Sequence, residues 1–334
     1  MSNVDLARRA AKIRRYGGVS EMPKKSFEPP KREPKKLQIK LGKKVGRGQN
    51  VDVFLADRLE SIYDRKKLCL KVFKNSNDQW GHDDIVGKSS ILECTMIQNL
   101  LAMRGLAPRV YDLVIANGKT AQVTDYLEGH NKVVPFEDER FIFRKSEIMQ
   151  DHQFISGKLV DFQGTVFRDF KKYKERVLKE CVASQQPQSG GGKIYQSTNY
   201  IDGWRNTGER LKKFEGIDFK NKRVLDLGCN TGMLCRYAFD RGAVRVVGID
   251  LPNVAEATKK LAVLDGYFNL DFYGANLRQT DWVKIVNLTK LRRFDIFLFL
   301  AVQNHIGKPD WLNKCDTLVY EGHGEVRPFS ITRN

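Results

Sequence analysis

Val224-Leu-Asp-Leu-Gly-Cys-Asn-Thr-Gly232, followed by Val246-Val-Gly-Ile-Asp250, decides how this 334-residue chain is read. An apolar strand runs into a turn of small residues, and a second strand ends in a carboxylate. That is the arrangement at the ligand crevice of a doubly wound α/β sheet. A dinucleotide fingerprint would read G-x-G-x-x-G, its second glycine letting the backbone approach a pyrophosphate. Here Asn230 stands at that position and Asp226 precedes the turn. A pyrophosphate would meet a side chain and a negative charge.

Working outward, residues 222–227 read as a first strand, 233–241 as a helix and 244–250 as a second strand. A second helix over 254–265 carries apolar positions at helical spacing. Residues 268–273 give a third strand leading to Gly274-Ala-Asn276, 294–302 a fully apolar fourth and 317–321 a fifth. Continuous apolar runs suit strands covered on both faces. In Asp226, Gly228, Gly232 and Asp250 this segment resembles the class I S-adenosylmethionine-dependent methyltransferases, whose first motif is D-x-G-x-x-x-G and whose second strand ends in an acid on the ribose. The resemblance implies a Rossmann-like sheet over residues 193–334. It also implies S-adenosylmethionine as cofactor, bound through Asp226, Gly228, Asn230, Gly232, Asp250 and Asn276. Such a ligand has no phosphates and carries a sulfonium and an ammonium, which suit an acidic turn.

Composition frames the rest. A hydrophobic content of 41% agrees with a globular protein, and the length suffices for two domains. The sequence has no apolar run of about 18 residues and no apolar N-terminal leader. Its six cysteines are scattered, without a C-x-x-C pair, so a reducing, cytoplasmic setting is expected.

The net charge is +18, and residues 1–40 hold 12 Lys or Arg against 4 Asp or Glu. Residues 1–38 are expected to form a basic disordered tail, with a short helix stopped at Gly17-Gly18 and an extended stretch over 23–36. Such a tail holds RNA by counterion release, holds an anionic membrane surface, or simply stays solvated.

Between tail and methyltransferase segment lies a second set of motifs. Val45-Gly-Arg-Gly-Gln-Asn-Val-Asp-Val-Phe-Leu-Ala56 has the shape of a glycine-rich loop between strands, and Leu68-Cys-Leu-Lys-Val-Phe73 follows as a strand. Glu93 sits on a predicted helix over 91–103, and two further strands end in Asp125-Tyr-Leu-Glu-Gly129. This order resembles the small lobe of protein-kinase-like folds, over residues 39–183. The resemblance implies ATP covered by Gly46 and Gly48, contacted by Lys71 in a pair with Glu93, with Asp161 as the magnesium ligand. No H-R-D-x-x-x-x-N segment precedes Asp161, and Asp151 and His152 are poor substitutes. A degenerate nucleotide-binding or structural remnant is therefore expected ahead of an active kinase. A helix over 165–183 should pack on this module, and 184–192 should be a flexible linker.

On the acceptor side, Arg205 and Arg210 either receive an anionic acceptor or pair with Glu209 or Glu215 at the surface. Gln303-Asn-His305-Ile-Gly307 follows the fourth strand and Glu321-Gly-His323 the fifth, both at the carboxyl edge where ligands bind. His305 is the candidate base for an acceptor hydroxyl, and Glu321 would orient it or bind substrate. Kinase-like and methyltransferase modules in one chain are similar to bacterial enzymes that phosphorylate and methylate the end of a surface polysaccharide, although the domain order differs. That points to a glycan or another anionic hydroxyl or phosphate compound as acceptor. The alternatives are an RNA methyltransferase, an active kinase and a non-catalytic scaffold. Lastly, class I sheets generally finish with a sixth and seventh strand, and residues 322–334 look too few for them. Strand five is then expected as a bare edge, completed by a second chain or copy.

Overall fold

A computed structural model describes residues 35–37, 39–47, 51–56, 58–74, 85–86, 89–129, 140–142, 154–155, 158–160, 166–189, 194–205, 207–300, 302–322 and 325–330. The expected tail, Gly48, Asp151, His152, Asp161 and His323 thus lie outside the described residues, apart from a strand at 35–37. The chain divides into two units: residues 1–61 with 65–174, and residues 62–64 with 175–334. No helix among the described residues is long and apolar enough to cross a membrane.

The first unit holds a six-stranded sheet built from β1 (Lys35–Leu37), β2 (Leu41–Arg47), β3 (Val51–Ala56), β4 (Leu68–Phe73), β5 (Val110–Ala116) and β6 (Lys119–Asp125). Its order is β1-β5-β6-β4-β3-β2, with β1 parallel to β5 and every other pairing antiparallel. Asn117 and Gly118 close the β5–β6 hairpin with φ of 50° and 72°, the left-handed pair that matches strand twist. All six residues of β4 are buried. Helix α1 (Ile91–Ala102) is N-capped by Ser90, whose hydroxyl accepts the Glu93 amide at 3.0 Å. The helix is buried along nearly its whole length, so its polar residues need partners. Gln122 donates to the Thr95 hydroxyl at 2.6 Å, the Asn99 side chain accepts from the Val110 amide at 3.2 Å, and Gln98 donates to the Pro108 carbonyl at 2.9 Å.

The second unit carries β7 (Arg223–Leu227), β8 (Arg245–Asp250), β9 (Leu270–Gly274), β10 (Ile296–Leu300), β11 (Thr317–Gly322) and β12 (Glu325–Ser330). Their order is β9-β8-β7-β10-β11-β12; the first five are parallel and β12 runs antiparallel to β11. Alternate residues feed two cores. Val224, Val246 and Leu298 pack with Leu234 and Phe239 of α4 (Met233–Asp240) on one face. Leu225, Val247, Phe297 and Phe299 pack with Trp311 on the other. Helices α5 (Pro252–Leu264) and α6 (Trp282–Thr289) follow β8 and β9.

Two expectations are corrected here. Strand five is not a bare edge, because β12 pairs with it over six registers from Thr317 and Ser330 to Gly322 and Glu325. Only a tight reversal, not a helix, is needed between antiparallel neighbours. Pro328 lies in β12, a residue suited to an outer strand because it offers no amide to a further partner. The motive for a second chain completing the sheet falls away. The supposed linker is also largely helical, since α2 (Phe170–Ser189) runs through most of 184–192. Within α2, Gln185 is buried and its side-chain oxygen accepts the Tyr195 amide at 3.0 Å. The helix from residue 175 onward belongs to the second unit, with the Cys181 thiol on the Ala257 carbonyl at 3.7 Å and Lys260 on Glu180 at 2.7 Å.

Candidate active site

The strand–turn–helix from β7 into α4 shapes the site. Gly228, Asn230 and Gly232 adopt φ of 75°, 51° and 73°. A Cβ on Gly228 would sit 2.5 Å from Val302, and one on Gly232 would sit 2.8 Å from the Phe272 ring, so both glycines are required by conformation and by space. The amides of Gly228 and Cys229 donate to the Ile249 carbonyl at 2.8 and 3.2 Å, binding the turn to the end of β8. Asn230 tolerates the left-handed region because its own side chain accepts the Thr231 amide at 2.8 Å. Thr258 of α5 donates to the Asn230 carbonyl at 2.7 Å.

Asp250 closes this unit. One carboxylate oxygen accepts the Asn230 amide at 2.8 Å and the other the Leu251 amide at 2.7 Å. Burial raises its pKa, while these two amides favour the ionised form. Each oxygen keeps a further lone pair for a hydroxyl. Asp226 is buried at the end of β7, opposite Gly248 and Leu298. Burial pushes its carboxyl up to about 7, against a hydrogen bond from the Cys235 thiol at 3.3 Å and the charge of Arg210, while the Asp250 charge adds to the rise. Asn276 is exposed at the end of β9, where its side-chain oxygen caps a short turn by accepting the Arg278 amide at 3.1 Å. The Ala275 amide beside it donates to the Asp250 carbonyl at 2.7 Å.

The fold thus brings Asp226, Gly228, Asn230, Gly232, Asp250 and the Asn276 loop to one carboxyl edge of the sheet. Residues 208–319 match the FtsJ-like methyltransferase family model. That segment is methyltransferase-like. The chain is also similar to protein arginine N-methyltransferase 1 of Saccharomyces cerevisiae, 45% identical over 49 residues, covering 15% of this chain and 14% of that protein. To the ubiquinone biosynthesis O-methyltransferase of Stutzerimonas stutzeri it is 30% identical over 121 residues, covering 36% and 49%. Over 65 residues it is 43% identical to the ribosomal protein L11 methyltransferase of Alteromonas mediterranea, covering 19% and 22%. The chain therefore spans less than half the length of each of these curated relatives. Among solved structures, the bifunctional kinase-methyltransferase WbdD aligns at 22% identity over 42% of this chain and 35% of that one, with a TM-score of 0.33.

On the acceptor side the residues separate. Arg210 in α3 (Thr207–Lys212) does not pair at the surface with Glu209 or Glu215. It is buried, and its Nη2 donates to Glu321 at the end of β11 at 2.6 Å. Glu321 therefore bonds to Arg210, and the expected orienting role toward His305 has no hydrogen bond behind it among the described residues. His305 is exposed on α7 (Gln303–Ile306), where its backbone carbonyl accepts Arg278 Nε at 2.6 Å. The side chain of Arg205 lies outside the described residues. Sequence reading assigned no individual role to Gln196 or Tyr195, which lie ahead of β7 in the chain. Gln196 is buried and accepts the Thr231 hydroxyl at 3.4 Å, and the Tyr195 ring lies 5.9 Å from the Arg210 guanidinium.

In the first unit, Gly46 lies opposite Val53 across the β2–β3 pair, beside a register irregularity. Lys71 Nζ donates to the Val160 carbonyl at 2.9 Å, and Glu93 accepts the Phe167 amide at 3.0 Å. The expected Lys71–Glu93 ion pair is replaced by these two backbone contacts. Asp125, at the end of β6, accepts the Tyr111 hydroxyl at 2.8 Å and the Arg109 amide at 3.0 Å, a structural role.

Proposed function

We propose that this chain is an S-adenosylmethionine-dependent methyltransferase whose acceptor is a glycan or another anionic hydroxyl or phosphate compound. The observation that supports it most is the Asp250 carboxylate clamped on the Asn230 amide, which fixes a left-handed turn beside a buried acid. A turn built this way offers hydroxyl-binding and cation-binding groups and no cradle for phosphate. When bound, S-adenosylmethionine supplies an electrophilic methyl group. Asp250 then holds the ribose hydroxyls, Asp226 faces the cationic amino-acid end, and the Asn276 loop borders the base. His305, at the exit of β10, takes the proton of an acceptor hydroxyl at its imidazole nitrogen.

The first unit, in this reading, is a degenerate kinase-like module in which Lys71 and Asp161 line a nucleotide pocket that transfers phosphate poorly or not at all. The basic N-terminal segment, with its excess of 12 cations over 4 anions in residues 1–40, holds a polyanion such as RNA or an anionic surface. Cell extract incubated with methyl-labelled S-adenosylmethionine and the protein, followed by mass spectrometry, tests the function and names the acceptor. A labelled product that disappears with Asp250→Ala is expected; no labelled product would refute the reading.

A further inference from the structure

Helix α7 is a single turn, and an isolated turn does not hold its own shape in water. The place of His305 is therefore set by what grips α7 from outside. At its start, Val302 is the capping residue and packs on the glycine turn, so close that a Cβ on Gly228 would lie 2.5 Å from it. At its end, the His305 carbonyl has no amide to expect from the residue four positions on, because that residue is Pro309. It accepts Arg278 Nε at 2.6 Å instead. Arg278 is in turn fixed from the cofactor side. Its amide donates to the Asn276 side chain at 3.1 Å, the Gln279 amide and the Thr280 hydroxyl donate to the Asn276 carbonyl at 2.9 and 2.8 Å, and the Ala275 amide donates to the Asp250 carbonyl at 2.7 Å. Both grips on α7 thus come from elements assigned to the cofactor, the turn at Gly228 and the Asn276 loop.

We propose that Arg278 is the positioning residue for His305, carrying occupancy of the cofactor turn to the placement of the base. This rests on the cofactor reading above and deepens it. The orienting role that sequence reading gave to Glu321 falls to Arg278, since Glu321 is engaged by Arg210. Arg278 reaches α7 through the backbone of His305, so it sets the imidazole by setting the turn and takes no part in the proton transfer. A guanidinium suits the task because its charge strengthens the bond to the carbonyl. A ligand orders a loop by as much as it prefers the ordered state. S-adenosylmethionine, held by Asp250 and bordered by the Asn276 loop, orders that loop, and Arg278 passes the order to α7. An acceptor hydroxyl then meets a placed base when the methyl donor is already present.

The test uses the full chain with isotope-labelled histidine, whose five imidazoles are followed by nuclear magnetic resonance, and S-adenosylhomocysteine as the probe. His305→Gln identifies the His305 signal by its disappearance. In the wild-type chain that signal is expected to shift in step with binding measured by calorimetry. Arg278→Met should keep S-adenosylhomocysteine affinity within about twofold, the scale of a surface substitution, and leave the His305 signal where it stands in the unliganded chain. Arg278→Lys, which retains a charged donor, should recover part of the shift, a rescue that a merely space-filling role would not show. A His305 shift that survives Arg278→Met, or a wild-type shift that never appears although the probe binds, overturns the coupling and leaves the cofactor reading standing. An affinity loss of about tenfold or more in Arg278→Met, the scale of a lost hydrogen bond to a charged group, makes Arg278 a cofactor contact and overturns its positioning role. Failure of the wild-type chain to bind the probe overturns the cofactor reading and this proposal with it.

Discussion

In the second unit the motif residues bond to one another: Asp250 to the Asn230 amide, the Gly228 amide to the carbonyl beside Asp250, and Asp226 to Cys235 three residues past the turn. The first unit differs. Lys71 and Glu93, whose meeting the kinase-like reading required, bond instead to backbone groups 89 and 74 residues further along the chain. The difference teaches where a motif can be trusted. A strand–turn–helix motif is a local object, and its residues have no other geometry open to them once the strands pair. A lysine–glutamate motif is an agreement between two separate elements, and either residue satisfies its charge elsewhere at little cost.

The largest expected effect breaks the second unit's turn. Gly232→Val places a branched side chain at φ 73° and against the Phe272 ring. Strain of about 1–3 kcal/mol from the backbone alone, with the clash added, should abolish detectable binding of S-adenosylhomocysteine in calorimetry. Binding retained within about tenfold would show that the turn is not the site.

Next in size is a pH effect from Asp226. Its folded-state carboxyl titrates near 7, above the unfolded value, so between about pH 4 and 7 the unfolded chain releases this proton first. Its contribution to stability is full below pH 4 and is lost as pH rises toward 7, by at most about 1.4 kcal/mol per pH unit. Urea unfolding across that window should show the decline, and Asp226→Asn should flatten it. A flat wild-type profile would mean that Asp226 is ionised as readily in the fold as in water.

Smaller effects sharpen the contrast from the first unit. Lys71→Met should cost about 1 kcal/mol through its lost hydrogen bond to Val160, and leave S-adenosylhomocysteine affinity unchanged. Phosphate transfer from radiolabelled ATP with magnesium should be weak or absent; robust transfer that Asp161→Ala abolishes would restore the active-kinase reading. Smallest for the folded units is removal of residues 1–34, which stops short of β1 and should lower RNA or anionic-vesicle binding and make it less salt-sensitive while sparing cofactor affinity.

Much of the second unit was legible because strands β7 to β11 are continuous apolar runs bounded by small or charged residues, and both their faces are covered. What escaped reading was set by distant contacts. Strand β12, Glu-Val-Arg-Pro-Phe-Ser, lacks an apolar run because it is an outer strand defined by its pairing to β11. The last turns of α2 are rich in Gln and Ser and look like linker, yet Gln185 is fixed by the Tyr195 amide. Arg210 and Glu321 stand 111 residues apart, and no local pattern joins them. The hairpin at Asn117-Gly118 shows the opposite case, a two-residue signal sufficient for its geometry.

Asp250→Ala tests the central claim most directly. The substitution removes the carboxylate that clamps the Asn230 amide and, in this account, holds the ribose. Calorimetric titration of S-adenosylhomocysteine into the wild-type and variant chains should show binding to the former and at least about tenfold weaker binding to the latter, a loss of about 1.5 kcal/mol or more. Equal affinity in a folded variant would contradict the assignment of this turn as the cofactor site.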